Sequence, residues 1–484
     1  MVWHDDLTLL DLNRRDRIRL LDALYNFLIL GGIGSGKSSG PFQYIIRALL
    51  NLGAGILFLA VKADAADTYR RWIREAGREA DLIEFGPGHP ATYNFLDEIP
   101  RRHGGDPFLM VEEVLHVLLE AMTLLRRRDG GQSSKDDGFF QQAADKLLRA
   151  ALVVLFVARG RLELDALAAF LSSIPRNPDE PLSERLFAVR QIREAREKLR
   201  AEGREDVIVA ATRFLDRDWA GYAIETRESI RATAQVLIDQ LTYEPLVSLF
   251  GAKTTVSPDD ILAGKIVLVT PAIHDRQRVG QVSAAIWKAM AQRAVLARKF
   301  KNVSEVRPVV IAGDEAHELV TPGDVRFVSS SRSQRGVTVY STQTVTSLME
   351  ALGPSATSTL LAGLRTRFVC RSDDPDTAKW IAESLADAPT SRPALGRLAT
   401  EPLGVDLPLT VRALRQGGQD RVVEAIAVCG GDKFRVNDRR WSTVTFNQTP
   451  PSGVLGGLRQ AWTTNDVRVM PRPRRRVSTP RKRP

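Results

Sequence analysis

Cysteine, long apolar runs and an apolar leader are scarce or missing in this sequence. It has only 2 cysteines among 484 residues, and neither lies in a pair with metal-ligand spacing. Aspartates interrupt the first 16 residues, so the start does not resemble a signal peptide. No apolar stretch reaches the roughly 20 residues that span a bilayer. We therefore expect a cytoplasmic protein with reduced cysteines and no membrane-spanning segment of its own.

Acidic residues are absent from the C-terminal end. Pro471–Pro484 contains seven Lys or Arg and four prolines, and without it the net charge falls from +10 to +3. This composition offers no apolar face to bury, so we predict a basic disordered tail over 456–484. Such a tail either solubilises the chain or binds nucleic acid or an acidic partner. The whole chain, 44% hydrophobic and 26% charged, has a globular composition.

What the sequence does contain is a phosphate-binding motif near its start. Residues Gly31–Ser38 fill every fixed position of the pattern G-x-x-x-x-G-K-[ST]. A strand-like run precedes the motif at Tyr25–Leu30, and a helical stretch follows over Ser39–Leu50. Glycines let backbone N–H groups converge on a polyphosphate, and the helix N-terminus adds a favourable dipole. We predict a nucleotide-binding loop formed by Gly31, Gly32, Ile33, Gly34, Ser35, Gly36, Lys37, Ser38 and Ser39.

A second motif supplies carboxylates at the end of a strand. The apolar run Val309–Gly313 is followed by Asp314 and Glu315. Lys37 would reach the β- and γ-phosphates of ATP, and Ser38 and Asp314 would hold Mg²⁺. Glu315 would orient and deprotonate the attacking water. The first motif could instead be a chance glycine-rich turn, and the second an ordinary acidic turn. The presence of both motifs on one chain argues against both of these alternatives.

An arginine and a glutamine follow the carboxylates. A predicted helix carries Arg332 and Arg335, and a strand over Gly336–Tyr340 leads to Gln343. The Gln343 amide could report the presence of the γ-phosphate. Arg332, near a subunit edge, could stabilise transition-state charge in the neighbouring subunit's site. A polar turn residue and a surface guanidinium are the plain alternatives. We predict Lys37, Glu315, Arg332 and Gln343 as catalytic residues.

The spacing of strands and helices predicts an α/β fold interrupted by helices. Strand-like and helical runs alternate up to about residue 104, which indicates a parallel sheet. No convincing strand occurs from Pro107 to about Glu205, where helical stretches follow one another. We predict a P-loop α/β domain with a mainly parallel central sheet in two parts, 1–104 and 226–455. The all-α domain inserted between them occupies 105–225, and the tail occupies 456–484.

Residues 314–317 spell Asp-Glu-Ala-His, as in superfamily 2 helicases. Those enzymes hold the two nucleotide motifs closer together, inside one compact RecA-like domain. Here Lys37 and Asp314 are 277 positions apart. The segment Gln334-Arg335-Gly336 also lacks the second arginine of the helicase arginine motif. We therefore reject the helicase interpretation.

The chain instead resembles the FtsK/HerA superfamily of RecA-like motor ATPases, and within it the type IV coupling proteins of the TraG/TraD type. The resemblance runs from about Asn26 to about Ala386. It rests on the P-loop with Ser39-Gly40, the segment from Phe85 to Asp97, the inserted helices and the Asp-Glu strand end. The family's trans-acting arginine falls on Arg332, and its sensor glutamine falls 11 residues later on Gln343.

Three features depart from this family. Family members often carry Asp-Pro-Lys-Gly-Glu, whereas Lys62 here lacks the residues that usually surround that lysine. Asn94-Phe95 stands where the family has Asn-Pro. Typical coupling proteins begin with membrane-spanning helices, whereas only about 25 residues precede the P-loop strand here. We therefore expect a cytoplasmic form, or one that a partner recruits to the inner face of the membrane.

The resemblance implies an ATPase that uses ATP and Mg²⁺ and threads DNA, single- or double-stranded, through a homo-oligomeric ring, expected to be a hexamer. Its implied partners are relaxase and other DNA-processing proteins and type IV secretion components. Two alternatives stay open. The same fold could act on protein substrates or in a defence complex, without DNA. A nucleotide-dependent switch is the third class, and Glu315 and Gln343 argue against it because a switch needs no water activation.

Overall fold

The structure is a computed structural model that describes residues 2–13, 16–102, 107–126, 135–175, 186–386, 414, 421–428, 441–448 and 468–469. The predicted tail lies outside these residues except for 468–469, and so does Cys429. No helix among the described residues is both long and apolar enough to cross a membrane.

The strands come in two sheets. In chain order they are Thr8–Asn13 (β1), Asp16–Arg19 (β2), Phe27–Leu30 (β3), Gly55–Leu59 (β4), Leu82–Phe85 (β5), Ile266–Val269 (β6), Val309–Gly313 (β7), Gly336–Thr342 (β8), Thr366–Val369 (β9), Val422–Val428 (β10), Trp441–Asn447 (β11) and Arg468–Val469 (β12). Among the described residues, β1 pairs with β2 and β12 in a small antiparallel sheet. The other nine strands form one sheet.

The helices outnumber the strands. They are Leu20–Ala23 (α1), Gln43–Leu52 (α2), Ala65–Glu75 (α3), Phe95–Arg102 (α4), Pro107–Arg126 (α5), Lys135–Arg159 (α6), Leu164–Ser173 (α7), Phe187–Ala201 (α8), Glu205–Arg213 (α9), Ile224–Thr242 (α10), Leu246–Phe250 (α11), Pro258–Ala263 (α12), Ile273–Leu296 (α13), Pro322–Ser330 (α14), Val345–Leu352 (α15), Pro354–Gly363 (α16) and Pro375–Ala386 (α17).

The large sheet has the order β11-β10-β9-β3-β8-β7-β4-β6-β5. From β9 to β6 the neighbouring strands run parallel, and β10 is antiparallel to both β9 and β11. β3 therefore lies between β8 and β9, and β7 lies between β8 and β4. The carboxyl ends of parallel strands meet at one edge of the sheet, where α/β proteins bind ligands. The predicted α/β fold with a mainly parallel sheet is confirmed.

The sheet is buried on both faces. Alternate residues of β3 enter two different apolar clusters: Phe27 and Ile29 pack in one, and Leu28 and Leu30 in the other. Helices α2 and α3 cover the first face, and α15, α16 and α17 cover the second. Strands buried on both sides read as continuous apolar runs, which is why β3, β4 and β7 were visible in the sequence.

The contacts divide the chain into two compact units. The first unit comprises Met1–Glu84, Pro258–Gly280 and Ala291–Pro484, and the second comprises Phe85–Ser257 and Gln281–Met290. Every described residue stretch between 107 and 205 that has regular structure is helical, as expected for the inserted domain. The second unit includes more residues than the predicted insertion at 105–225. The predicted domain limits stay a prediction.

Several local features differ from the sequence-based expectations. The helix after the P-loop does not start regularly: Ser38–Phe42 forms a π-helical turn in which Gly40 has φ −105° and ψ −110°. Pro41 in this turn has no N–H to donate, so the regular helix starts only at Gln43. Strands β1, β2 and β11 were not anticipated, because each mixes polar and apolar residues and none is a continuous apolar run.

Candidate functional site

The P-loop connects β3 to α2 and lies in the first compact unit. Gly34 and Gly36 have φ values of 71° and 84°, a region that side chains with a Cβ rarely adopt. A Cβ on Gly31 would lie 2.4 Å from Ser35 Oγ and 2.8 Å from Cys370 Cβ. The loop thus requires glycine where the backbone turns and where neighbouring chain segments approach closely.

Backbone hydrogen bonds hold the start of this loop to the neighbouring strands. The Gly31 N–H donates to Thr342 O at 3.3 Å, and the Gly32 N–H donates to Arg371 O at 2.9 Å. These two N–H groups are engaged with protein, and so is the Ser35 N–H, which donates to Gly32 O at 3.1 Å, so a phosphate would have to be held by other N–H groups of the loop. Ser35 Oγ is buried without a hydrogen-bond partner among the described residues, as an atom that awaits a polar ligand would be.

The remaining loop residues differ in exposure. Ile33 is 86% exposed at the tip, and Lys37 is 5% exposed at the base. Ser39 Oγ accepts a hydrogen bond from Gln448 Nε2 at 2.9 Å, which ties the loop to the end of β11. The predicted nucleotide-binding residues therefore form one continuous loop with an exposed tip and a buried lysine.

The two predicted Mg²⁺ ligands are in direct contact. Ser38 Oγ donates a hydrogen bond to Asp314 Oδ2 at 2.5 Å, although the residues are 276 positions apart. Asp314 follows β7, and its Oδ1 accepts the Glu315 N–H at 3.1 Å. A hydroxyl and a carboxylate oxygen side by side at a P-loop form the donor pair that Mg²⁺ takes from protein in nucleotide sites. The residues present fit the ion.

Glu315 has an unusual backbone. Its φ is 57° and its ψ is 53°, the left-handed region, which costs a residue with a Cβ about 1–2 kcal/mol. Its side chain is only 2% exposed. Strain of this kind persists where the surrounding structure over-determines it, and it is found at functional sites.

Three side chains contact the Glu315 carboxylate. Lys62 Nζ lies 2.6 Å and Lys37 Nζ 3.3 Å from its Oε1. Gln343 Nε2 donates to Oε2 at 3.2 Å. Burial alone would raise the pKa of Glu315, but the hydrogen bond from Lys62 and the charge of Lys37 outweigh it, and the net pKa is lowered. Glu315 is thus ionised at neutral pH, as a proton acceptor must be.

The sequence left two members of this cluster without a role. Lys62 comes three residues after β4, the strand beside β7, so its position next to a strand end was the available signal. His317 Nδ1 lies 3.2 Å from Thr342 Oγ1 and 3.8 Å from Glu315 Oε2. It lies in a short 3₁₀ turn, Ala316–Glu318, which no periodicity in the sequence indicates.

Arg332 is not brought into this cluster. Helix α14 ends at Ser330, so the prediction of a helix that carries Arg332 and Arg335 was wrong. Arg332 lies in a 3₁₀ turn over Ser331–Gln334, just before β8, because Arg335 breaks the helical path with a φ of 58°. The seven residues of β8 separate it from Gln343, which is roughly 20 Å at about 3.3 Å per residue.

Arg332 has a defined environment at that opposite edge of the sheet. Its guanidinium carbon lies 4.2 Å from the centroid of the Tyr25 ring. Arg365 approaches the same ring at 4.4 Å, so the tyrosine is flanked by two exposed arginines. Arg335 is different, since it is 1% exposed and paired with Asp5 at 2.8 Å. Arg332, unlike Arg335, is therefore available at the surface.

Comparisons with known proteins bear on the family and the fold of this chain. Residues 207–396 match the family model of the type IV secretion-system coupling protein DNA-binding domain. The unbound bacterial conjugative coupling protein TrwBdeltaN70 has a similar structure, with a TM-score of 0.59 and 15% identity over 90% of this chain and 89% of that chain. No curated protein matches the sequence.

Two further structures of the plasmid coupling protein TrwB are also similar. One is in complex with ADP and Mg²⁺, with a TM-score of 0.57 and 13% identity over 90% of this chain and 87% of that one. The other holds a non-hydrolysable ATP analogue, with a TM-score of 0.58 and 14% identity over 93% and 92%. At such identities the likeness shows the RecA-like fold. With the family model, it confirms the resemblance of this chain to the type IV coupling proteins.

Proposed function

We propose that this chain is an ATP-driven DNA translocase of the coupling-protein type, which pumps DNA through a homo-oligomeric ring during conjugative transfer or type IV secretion. The observation that carries the proposal is the cluster around Glu315, where a buried, ionised carboxylate meets the P-loop lysine and the strand-end glutamine. A nucleotide switch would not need this combination, whereas hydrolysis does.

Each residue of the cluster would have its own role in ATP binding and hydrolysis. The P-loop backbone and Lys37 hold the phosphates of ATP, and Ser38 and Asp314 hold Mg²⁺. When bound, Mg²⁺ neutralises charge on the phosphate oxygens. Glu315 accepts the proton of the attacking water. The Gln343 amide, which donates a hydrogen bond to Glu315 in this structure, would instead contact the γ-phosphate and so report its presence.

Arg332 would act on the neighbouring subunit. It lies roughly 20 Å from its own Gln343, at the far edge of the sheet. A ring, expected to be a hexamer, would bring this arginine to the next subunit's phosphates, where it stabilises transition-state charge. The similar TrwB structures with nucleotide and Mg²⁺ support the choice of cofactors. Cytoplasmic location, recruitment to the inner membrane face and contact with relaxase or secretion components belong to the same proposal.

A basic groove in the helical unit supports DNA as the substrate. A cavity of about 420 Å³ has Lys146, Arg149, Arg213 and Arg217 in its walls, with Glu112 and Asp218 as the acidic members. Arg149 pairs with Glu112, and Lys146 Nζ lies 3.9 Å from Asp218 Oδ2. No ion pair with a described residue engages Arg213 or Arg217, which leaves two exposed cations for backbone phosphates. Acidic protein substrates are the alternative that this groove would also accept.

The test is the ATPase rate with and without single- and double-stranded DNA over a range of salt concentrations. We expect DNA to stimulate hydrolysis at low salt. Glu315→Gln should lower kcat by about 10²- to 10⁴-fold, the usual contribution of a general base. The matched control is Glu305→Gln, an exposed carboxylate before the other end of β7. An ATPase rate that DNA does not change, even at low salt, would contradict translocation and favour the protein-substrate alternative.

A further inference from the structure

Lys62 makes the shortest contact to the Glu315 carboxylate, at 2.6 Å from Oε1. We propose that Lys62 is a positioning residue that holds this oxygen so that Oε2 faces the attacking water during hydrolysis. The inference rests on the proposed ATPase activity and adds a residue to its machinery.

The argument begins with what each contact does when ATP binds. In the structure, Lys37 also approaches Oε1 and Gln343 donates to Oε2. Lys37 and Gln343 both act on the phosphates of ATP, and both leave Glu315 when they do so. Lys62 is outside the P-loop, so its bond to Oε1 can persist. The departure of Gln343 then frees Oε2, the oxygen that the water needs.

Glu315 requires such a support. Its side chain is 2% exposed, so water offers little help in orienting or stabilising the charge. A buried carboxylate that loses its partners is costly, and one charge-assisted hydrogen bond offsets much of that cost. His317 is the other titratable neighbour, with Nδ1 3.8 Å from Oε2. That distance is too long for a hydrogen bond, so it does not fix the carboxylate.

Lys62 can reach the carboxylate without being buried itself. Its side chain is 42% exposed and it lies just beyond β4, the direct neighbour of β7 in the sheet. The register places Leu59 opposite Gly313, so the loops that carry Lys62 and Glu315 leave the sheet side by side. This placement depends on the strand pairing and not on the nucleotide.

Two other roles for the pair give different results. A purely structural ion pair would act on folding stability and leave kcat unchanged. An inhibitory latch, in which Lys62 keeps Glu315 from water until DNA arrives, would give a higher basal rate when the lysine is removed. A positioning role predicts a lower kcat with unchanged nucleotide binding.

The experiment compares Lys62→Met, Lys62→Gln and Lys62→Arg with the wild type in the full chain, using ATP. Lys265→Met is the matched control, because Lys265 is equally exposed and pairs with Asp81 at 3.5 Å away from the site. We expect Lys62→Met and Lys62→Gln to lower kcat by about 10- to 100-fold, the usual loss on misplacing a reacting group. KM and the Kd for ADP should stay within about twofold, and Lys62→Arg should restore most of kcat.

Three results would overturn the proposal. They are a kcat within about twofold of wild type in both uncharged variants, a kcat that rises, or a loss that Lys62→Arg does not reduce at all. Thermal unfolding of each variant separates a folding defect from a catalytic one, and Lys62→Arg still decides if the uncharged variants do not fold. A wild-type protein that hydrolyses no ATP would refute the proposed function instead, which keeps the two failures distinct.

Discussion

Asn26 connects the start of the P-loop strand to its surroundings, and its loss should destabilise the nucleotide-binding unit. The side chain is buried, with 1% exposure. Its Nδ2 donates to Val328 O and to Gly363 O, each at 3.3 Å, and its Oδ1 accepts the Thr338 N–H at 2.8 Å. Its φ is 61°, in the left-handed region that asparagine tolerates better than alanine.

The expected magnitude follows from these contacts. Asn26→Ala removes three hydrogen bonds, and the buried Thr338 N–H loses its acceptor, which costs about 1–3 kcal/mol by itself. The two carbonyls accept other bonds more readily, so their loss adds about 1 kcal/mol together. Alanine in the left-handed region costs about 1 kcal/mol more. We therefore expect the free energy of unfolding to fall by about 3–5 kcal/mol.

The assay is urea unfolding followed by circular dichroism, without nucleotide. With a slope of about 3 kcal/mol per molar urea, the midpoint should fall by roughly 1 M or more. Asn26→Gly separates the two causes, because it loses the same hydrogen bonds but accepts the backbone angle. It should be about 1 kcal/mol more stable than Asn26→Ala. A loss below about 1 kcal/mol for Asn26→Ala would refute the reasoning.

Two further predictions concern the nucleotide site. When Lys37→Ala and Arg332→Ala subunits, each inactive alone, are mixed, ATPase activity should partly recover, because some sites then combine an intact P-loop with a neighbour's arginine. No recovery in a verified mixed oligomer would mean that Arg332 acts in its own subunit or not at all. Gly31→Ala should weaken ADP binding measured by calorimetry, because its Cβ would lie 2.4 Å from Ser35 Oγ. Gly32→Ala is the control, because its Cβ meets only Arg371 O at 3.6 Å, and equal losses for both would contradict the steric argument.

Much of the fold could be predicted because the central strands are buried on both faces. Such strands are continuous apolar runs, and β3, β4 and β7 stand out for that reason. The π-helical turn at Ser38–Phe42 could not be predicted from periodicity, since its irregularity comes from Gly40 and Pro41 within one turn. The sequence also placed Arg332 in a helix, whereas Arg335, the left-handed residue three positions after it, cannot be recognised from composition.

The residues of the candidate site also fall into two groups, those that the sequence could identify and those that only the structure reveals. The P-loop and the Asp-Glu strand end are local patterns in which residue type and spacing carry the chemistry, so Lys37, Ser38, Asp314 and Glu315 could be named without coordinates. Lys62 could not, because its motif is incomplete and only the neighbouring positions of β4 and β7 reveal its contact.

The sequence by itself determined where the P-loop motif and the Asp-Glu strand end lie, because both depend on short stretches of adjacent residues. Only the tertiary structure decided how those stretches combine. The strand order brings Ser38 to Asp314 and Lys62 to Glu315, across 276 and 253 positions of the chain. The same order leaves Arg332 at the far edge of the sheet. Parallel strands gather their carboxyl ends on one side, whichever part of the chain they come from, and that order is a property of pairing rather than of any local segment.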